Sequence, residues 1–395
     1  MPRMSGAEGE DAARALLSGA VEALPEGRLA EQLAAGHPLR VKLGIDPTAP
    51  DIHLGHCVQL QKLRDFQAAG HVVVLIIGDM TARVGDPSGR SSERPVLSEE
   101  EIASNAETFQ AQAFKVLDRE RTEVRFNGEW LNMPSEELFG LVRRFTVAQL
   151  LERDDFSRRM ERAEPISALE LLYPVLQGYD SVAVEADVEI GGTDQKFNLL
   201  FGRNVQESFG QPAQSVLTMP ILPGTDGVRR MSKSLANYVG VTDPPDEMFG
   251  KLMSIPDDVM GQYYLLLLSE ELDTDIAAVE AKRALARRLV DRFHGEGAGS
   301  GAETAFDRVH VEREVPEDMP TTTLEPDAEG TVHLPALISE QFGVSRGEAR
   351  RLLEQGGVKL DGEPVRGDAL DLPADDLAGR VLQVGKRRFA RIARG

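Results

Sequence analysis

The stretch between residues 41 and 78 constrains the fold most. Residues 41–45 form a short apolar run, residues 54–69 repeat their apolar positions at helical spacing, and Val72-Val73-Val74-Leu75-Ile76-Ile77 is an unbroken aliphatic run. A strand with one wet face alternates polar and apolar residues, whereas an unbroken aliphatic strand is covered on both faces, as in parallel sheets flanked by helices. The three segments therefore predict a βαβ unit. The surrounding domain is predicted to be α/β, with its ligand at the carboxyl ends of the strands.

Further along, Ser98 and Glu101 have the spacing of a capping box and predict a helix over 98–117. A second helix is predicted over 136–152. A strand near 182–190 is expected to run into Gly191-Gly192, with a helix beginning near Gln195. Beyond Ser234 strand signals thin out, and 244–293 reads as helical throughout. A Gly-rich stretch at 295–301 and a Pro-, Thr- and acid-rich stretch at 315–330 read as mobile linkers around a short helix. A third small module follows from about 332 to 392. The predicted domains are 1–235, 236–325 and 332–395.

Composition narrows the function. No apolar run approaches the roughly 20 residues a membrane helix needs, and residues 1–31 lack a basic-then-apolar leader pattern. The expectation is a cytoplasmic protein without a membrane partner. Cys57 is the single cysteine, so the chain holds neither an internal disulfide nor a Cys-rich metal site. A formal charge of −21 opposes non-specific nucleic-acid binding. Any RNA partner must meet a local basic patch. Arg346, Arg350 and Arg351 offer one and Lys386, Arg387, Arg388, Arg391 and Arg394 another, although a solvated helix face and tail would look the same.

Two segments carry chemistry. In the first, a strand end (Gly44, Ile45, Asp46) leads through Pro47, Thr48 and Asp51 into His53-Leu54-Gly55-His56. The two histidines share a helix face, Gly55 admits a flat ring, and a helix start attracts phosphate, to which imidazoles can donate. A capped helix with two incidental histidines reads equally well. A zinc pair does not, for want of further ligands nearby, and no metal site is predicted. The second segment, Arg229-Arg230-Met231-Ser232-Lys233-Ser234 after Gly224 and Gly227, reads either as a cationic loop closing over a polyphosphate or as a solvated basic turn.

Taken together, the segments resemble the two signatures of class I aminoacyl-tRNA synthetases, with Arg230 standing for the usual first lysine of the loop. Tyr173-Pro174-Val175-Leu176-Gln177-Gly178-Tyr179-Asp180, Gly191-Gly192-Thr193-Asp194-Gln195, Gly85-Asp86-Pro87-Ser88-Gly89-Arg90 with Arg94, and Asn127 with Trp130 all resemble the tyrosyl branch. The resemblance runs from about Leu39 onward. It implies a Rossmann-like catalytic domain and an α-helical domain contacting the anticodon arm. It also implies a homodimer joined through an insertion of about residues 126–180, with the contact expected over 126–156. Residues 344–362 resemble an S4 RNA-binding module, with Leu352 and Leu353 inward and the arginines toward RNA phosphates.

The resemblance further implies roles. Asp86, Tyr173 and Gln177 would hold the ammonium of L-tyrosine and Asp180 would accept from its hydroxyl, with Asn127 and Gln195 in the same pocket. Asp46, Gly55, Gly192, Asp194 and Gln195 would meet ATP and the reacting carboxylate, and His56 and Met231 would flank adenine. Thr48, His53, Arg90, Arg94, Arg230, Lys233 and Ser234 would hold the pyrophosphate, magnesium would ride on ATP, and tRNA(Tyr) would be the second substrate. Two positions depart from the pattern. Lys42 stands where many tyrosyl enzymes place a second tyrosine, and Glu189 where some carry an amide, so the hydroxyl-side partner of Asp180 is open. The rivals are a tryptophanyl enzyme and a non-catalytic RNA-binding protein on the same fold. Neither predicts tyrosine-dependent activity.

Overall fold

A computed structural model describes residues 6–87, 97–310, 319–324, 326–365, 370–385 and 388–393. The chain divides into two compact units, Met1–Gly299 and Ser300–Gly395.

The first unit is built on a six-stranded sheet: β1 (Glu22–Leu24), β2 (Arg40–Ile45), β3 (Val72–Ile77), β4 (Thr122–Phe126), β5 (Val188–Gly192) and β6 (Ser215–Met219), in the order β1-β6-β5-β2-β3-β4. Strands β2 to β6 are mutually parallel, and β1 closes the edge antiparallel to β6. The aliphatic run in β3 is fully buried from Val73 to Ile77, as its lack of alternation requires. From β2 the chain winds one way through β3 and β4, and its later strands lie on the other side. The direction of winding reverses between β2 and β5, where an open parallel sheet leaves a crevice at the carboxyl ends of its strands.

Four local expectations are corrected. The helix expected over 136–152 is two helices, Ser135–Val142 and Val147–Leu150, because Thr146 accepts from the backbone N–H of Gln149 and starts a new capping box. The strand expected from 182 begins at Val188. Its apolar approach, including Val182, belongs to the helix Ala168–Ala183, which Glu185 ends in a left-handed turn (φ 51°). The Gly-rich 295–301 is not a linker, since the helix Ala298–His310 starts inside it. A Cβ on Gly299 would lie 2.3 Å from the Arg287 carbonyl oxygen, so that glycine permits tight packing on the helix Ala278–His294. Helix covers most of 244–293, over Pro245–Met253, Met260–Leu268 and Ala278–His294, but residues 269–277 lie outside it.

The second unit has its own core around Leu334, Ile338, Leu353, Leu360 and Leu382. Strands β7 (Thr321–Thr322), β8 (Thr331–His333), β9 (Val358–Leu360), β10 (Glu363–Pro364), β11 (Asp371–Pro373), β12 (Val381–Val384) and β13 (Arg388–Ile392) form a five-stranded sheet, β10-β9-β12-β13-β7, and a β11-β8 pair. Helices Leu334–Phe342 and Arg346–Glu354 pack on this core. Leu353 is buried and Leu352 half-buried against it, while Arg346, Arg350 and Arg351 are exposed.

Candidate active site

The crevice at the β2 and β5 ends is lined by Asp46, Thr48, His56, Asp86, Asn127, Tyr173, Gln177, Asp180, Gly192, Asp194 and Gln195, which the sequence singled out from segments far apart in the chain. Gln59, Thr81 and Glu189 line it as well. Gln59 could have been found, since it follows His56 by one helical turn. Nothing in the sequence marks Thr81.

At the crevice mouth the two histidines cap the helix Leu54–Ala68. His53 accepts from the Gly55 N–H through Nδ1 (3.2 Å), and His56 accepts from the His53 N–H through its own Nδ1 (3.3 Å). The rings lie 4.0 Å apart between centroids. With Nδ1 accepting on both, a neutral imidazole carries its proton on Nε2 and can donate from there. Burial, the neighbouring ring and Lys233 push His53 down to about 2; burial and Lys233 push His56 down to about 4. Both rings are neutral donors at physiological pH.

Inside, Asp46 accepts from Tyr173 Oη (2.9 Å) and Thr81 Oγ1 (2.6 Å). A Cβ on Gly78 would fall 2.1 Å from Asp46 Oδ1, so glycine is required there. Asp180 is buried, and its carboxylate accepts from Trp130 Nε1 (2.8 Å) and Asn127 Nδ2 (3.3 Å). Burial pushes its carboxyl up to about 7, against the pull of Lys42, Trp130 and Asn127. Burial, with the charge of Asp86, also raises Asp194. Gln195 donates to Asp86 (2.7 Å) and accepts from Asn198 (3.1 Å), which accepts from Arg153 (3.0 Å).

Lys42 is fully buried and pairs with Glu189, its cross-strand neighbour in the β2–β5 register. The Nζ–Oε1 distance is 2.8 Å.

The loop after β6 folds back as a narrow hairpin, with Pro223 opposite Arg230 and the Met231 N–H donating to the Leu222 carbonyl (3.0 Å). Asn237 ties it together, accepting from the Ser232 N–H (2.9 Å) and donating to Asp226 (3.0 Å). Ser232 and Ser234 hydroxyls lie 2.9 Å apart. Met231 is buried, and its Cβ is 3.5 Å from where a Gly55 Cβ would be. Backbone bonds from Leu54 N–H to Val239 (3.0 Å) and from Val241 N–H to Ile52 (3.1 Å) stitch the loop's far end to the histidine helix. Lys233 pairs with Asp51 (3.3 Å) beside that helix start. The exposed Arg230 also belongs to the hairpin. Arg90, Arg94, Lys386 and Arg387 lie outside the described residues.

A helix start whose neutral imidazoles donate hydrogen bonds, a cationic loop stitched to it, and an adjoining cleft lined by a buried carboxylate form the equipment for activating an amino acid with a nucleoside triphosphate. The family described as tRNA synthetases class I (W and Y) matches residues 34–310, and the S4 domain matches 334–369. The chain belongs to that class I synthetase family and uses ATP. Within it, the chain is 50% identical to the tyrosine–tRNA ligase of Moorella thermoacetica over 96% of this chain and 95% of that one. It is 50% identical to that of Geobacter metallireducens (95% and 96%) and 47% identical to that of Thermotoga maritima (98% of each). A solved tyrosyl-tRNA synthetase from Archaeoglobus fulgidus, complexed with L-tyrosine, shares the fold at a TM-score of 0.59 and 22% identity, over 74% of this chain and 99% of that one.

Proposed function

We propose that this chain is a tyrosine–tRNA ligase that activates L-tyrosine with ATP and transfers it to the 3′ end of tRNA(Tyr). The observation that carries this reading is a cleft lined by Asp180, Asn127 and Tyr173 together with Thr48, His56 and Asp194, with Lys233 paired to Asp51 beside the histidine helix.

Asp180 accepts from the phenolic hydroxyl, while Asp86, Tyr173 and Gln177 hold the ammonium. The substrate carboxylate is already an anion, so the first step needs no base; orientation and charge stabilisation carry it. The carboxylate attacks the α-phosphorus in line with the leaving pyrophosphate. His53 donates to the phosphates through Nε2 while His56 flanks adenine, and Lys233, leaving Asp51, meets the charge that develops on pyrophosphate, with Thr48, Arg230 and Ser234 around it. Asp194 and Gly192 face the ribose. A Cβ on Gly192 would sit 2.5 Å from Asp194 Oδ1, which supports that pairing. Met231, against Gly55, flanks adenine. In the second step the terminal tRNA hydroxyl attacks the adenylate carbonyl. Magnesium would ride on the ATP phosphates and help to neutralise them.

Residues 1–235 are assigned to catalysis, 236–325 to the anticodon arm, and 332–395 to RNA through Arg346, Arg350 and Arg351. A homodimer joined through the insertion of about 126–180 is part of the proposal, and Phe139 and Val147 are exposed apolar side chains within its expected contact range. No described helix is long and apolar enough to cross a membrane, and a cytoplasmic location is proposed. ATP–pyrophosphate exchange with tyrosine, phenylalanine and tryptophan supplied separately tests the whole. Exchange with tyrosine alone is expected, and exchange with none would sink the proposal.

A further inference from the structure

The ion pair beneath the pocket remains unexplained by these roles. Buried ion pairs are poor stabilisers, since apolar residues of similar volume often do as well, so a pair kept at a pocket wall calls for another reason. Lys42 itself cannot serve the substrate. Its three N–H donors go to Glu189 Oε1 (2.8 Å), Ser181 Oγ (2.7 Å) and the Gln177 carbonyl (3.3 Å). It must act through Glu189, which lines the cleft.

Glu189 Oε1 also accepts from Gln177 Nε2 (3.2 Å), and its Oε2 accepts from Ser181 Oγ (3.3 Å) and from Gln214 Nε2. A carboxylate paired with an ammonium is acceptor-only. A primary amide is ambiguous by itself, one end donating and the other accepting, but facing Glu189 it can present only its NH2. Gln177 Oε1 is thereby turned away from Glu189. It is buried and has no hydrogen-bond partner among the described residues, and Gln177 lines the cleft. A buried acceptor without a donor is unfavourable until a ligand supplies one.

We propose that Lys42 and Glu189 are positioning residues of the amino-acid pocket: the pair holds the Gln177 NH2 on Glu189 and so leaves the carboxamide oxygen as an acceptor, which takes a hydrogen bond from the substrate's ammonium. The inference rests on the proposed ligase function. It assigns the two departures from the family pattern a joint task. Neither residue touches substrate, and neither takes over contact with the phenolic hydroxyl.

The test is the double variant Lys42→Met/Glu189→Leu, which removes both charges at similar volume and leaves the Gln177 amide free to turn. In pyrophosphate exchange the tyrosine KM is expected to rise about tenfold or more, with kcat and the ATP KM within about twofold. Two competitors separate positioning from general damage. Tyramine, which keeps the ammonium, is expected to weaken by the same factor, and 3-(4-hydroxyphenyl)propionate, which lacks it, to bind unchanged. Glu189→Met gives a second reading with the same expectation if the double variant lacks a cooperative unfolding transition. Glu189→Gln, whose oxygen still faces Lys42 and Gln177, is expected to hold the tyrosine KM within about threefold. An unchanged tyrosine KM in a folded double or Glu189→Met variant, or equal losses for the two competitors, overturns the inference. Absence of tyrosine-dependent exchange in the unaltered protein would instead remove the function on which it rests.

Discussion

Lys233 meets Asp51 before it meets any phosphate. The two side chains are 3.3 Å apart with exposures of 32% and 44%, so the pair is half in water. Such pairs contribute about 0.2–1 kcal/mol. Closing on ATP requires Lys233 to leave Asp51, and the pair therefore opposes closure by that amount. Asp51→Asn removes the opposition while keeping the shape. At 1.36 kcal/mol per decade, the expected gain is a factor of about 1.4 to 5 in the ATP KM. The assay is pyrophosphate exchange with ATP varied at saturating tyrosine, run at several ionic strengths. Half-exposed pairs are screened, so the gap between the two proteins should narrow as salt rises above about 0.15 M. An ATP KM that rises in Asp51→Asn would refute the reasoning, because Asp51 would then be aiding closure.

Four further outcomes are expected. Lys233→Ala should slow adenylate formation about 100-fold or more while tyrosine binding, measured by equilibrium titration, stays within about twofold; equal losses in both would remove the loop assignment. Gly78→Ala drives a methyl into Asp46 and Thr81, at 2.1 and 2.3 Å, and should cut kcat/KM for tyrosine by about 100-fold in exchange assays; full activity would show that the Asp46–Tyr173 contact is dispensable. His56 titrates near 4 when folded against 6.5 unfolded, so its share of stability is complete above pH 6.5 and is lost as pH falls toward 4. That amounts to about 2 kcal/mol by pH 5, seen in urea melts, and the acid limb should flatten in His56→Asn. Deleting residues 332–395 should raise the tRNA KM in charging assays and leave pyrophosphate exchange unchanged; an unchanged tRNA KM would remove RNA binding from that module.

The sequence was most legible where a local pattern has one physical solution. The aliphatic run of β3 has no exposed face to offer, so a covered parallel sheet followed, and with it the place of the cleft. The histidine and lysine segments were legible as types, but their mutual stitching through Leu54, Val239, Ile52 and Val241 depends on segments that meet only in the folded chain. The same holds for Lys42 and Glu189. Their pairing is set by the β2–β5 register, which packing determines and no window of sequence contains. Arg153 was invisible for that reason too, since its link to Gln195 passes through Asn198. Other errors were avoidable. Thr146-x-x-Gln149 carries a helix start in plain view, and Gly299 looked like slack because its neighbour Arg287 lies on another helix.

The backbone stitch between the histidine helix and the far end of the lysine hairpin also has a consequence for synthesis. Ile52 leaves the ribosome long before Val241, about 190 residues later, and at roughly 5–20 residues per second that interval lasts on the order of ten to forty seconds. Throughout it, the nascent chain has a helix start without the segment 239–241 that bonds to it. The start of the histidine helix is completed only once residues 239–241 have been made and have docked beside it.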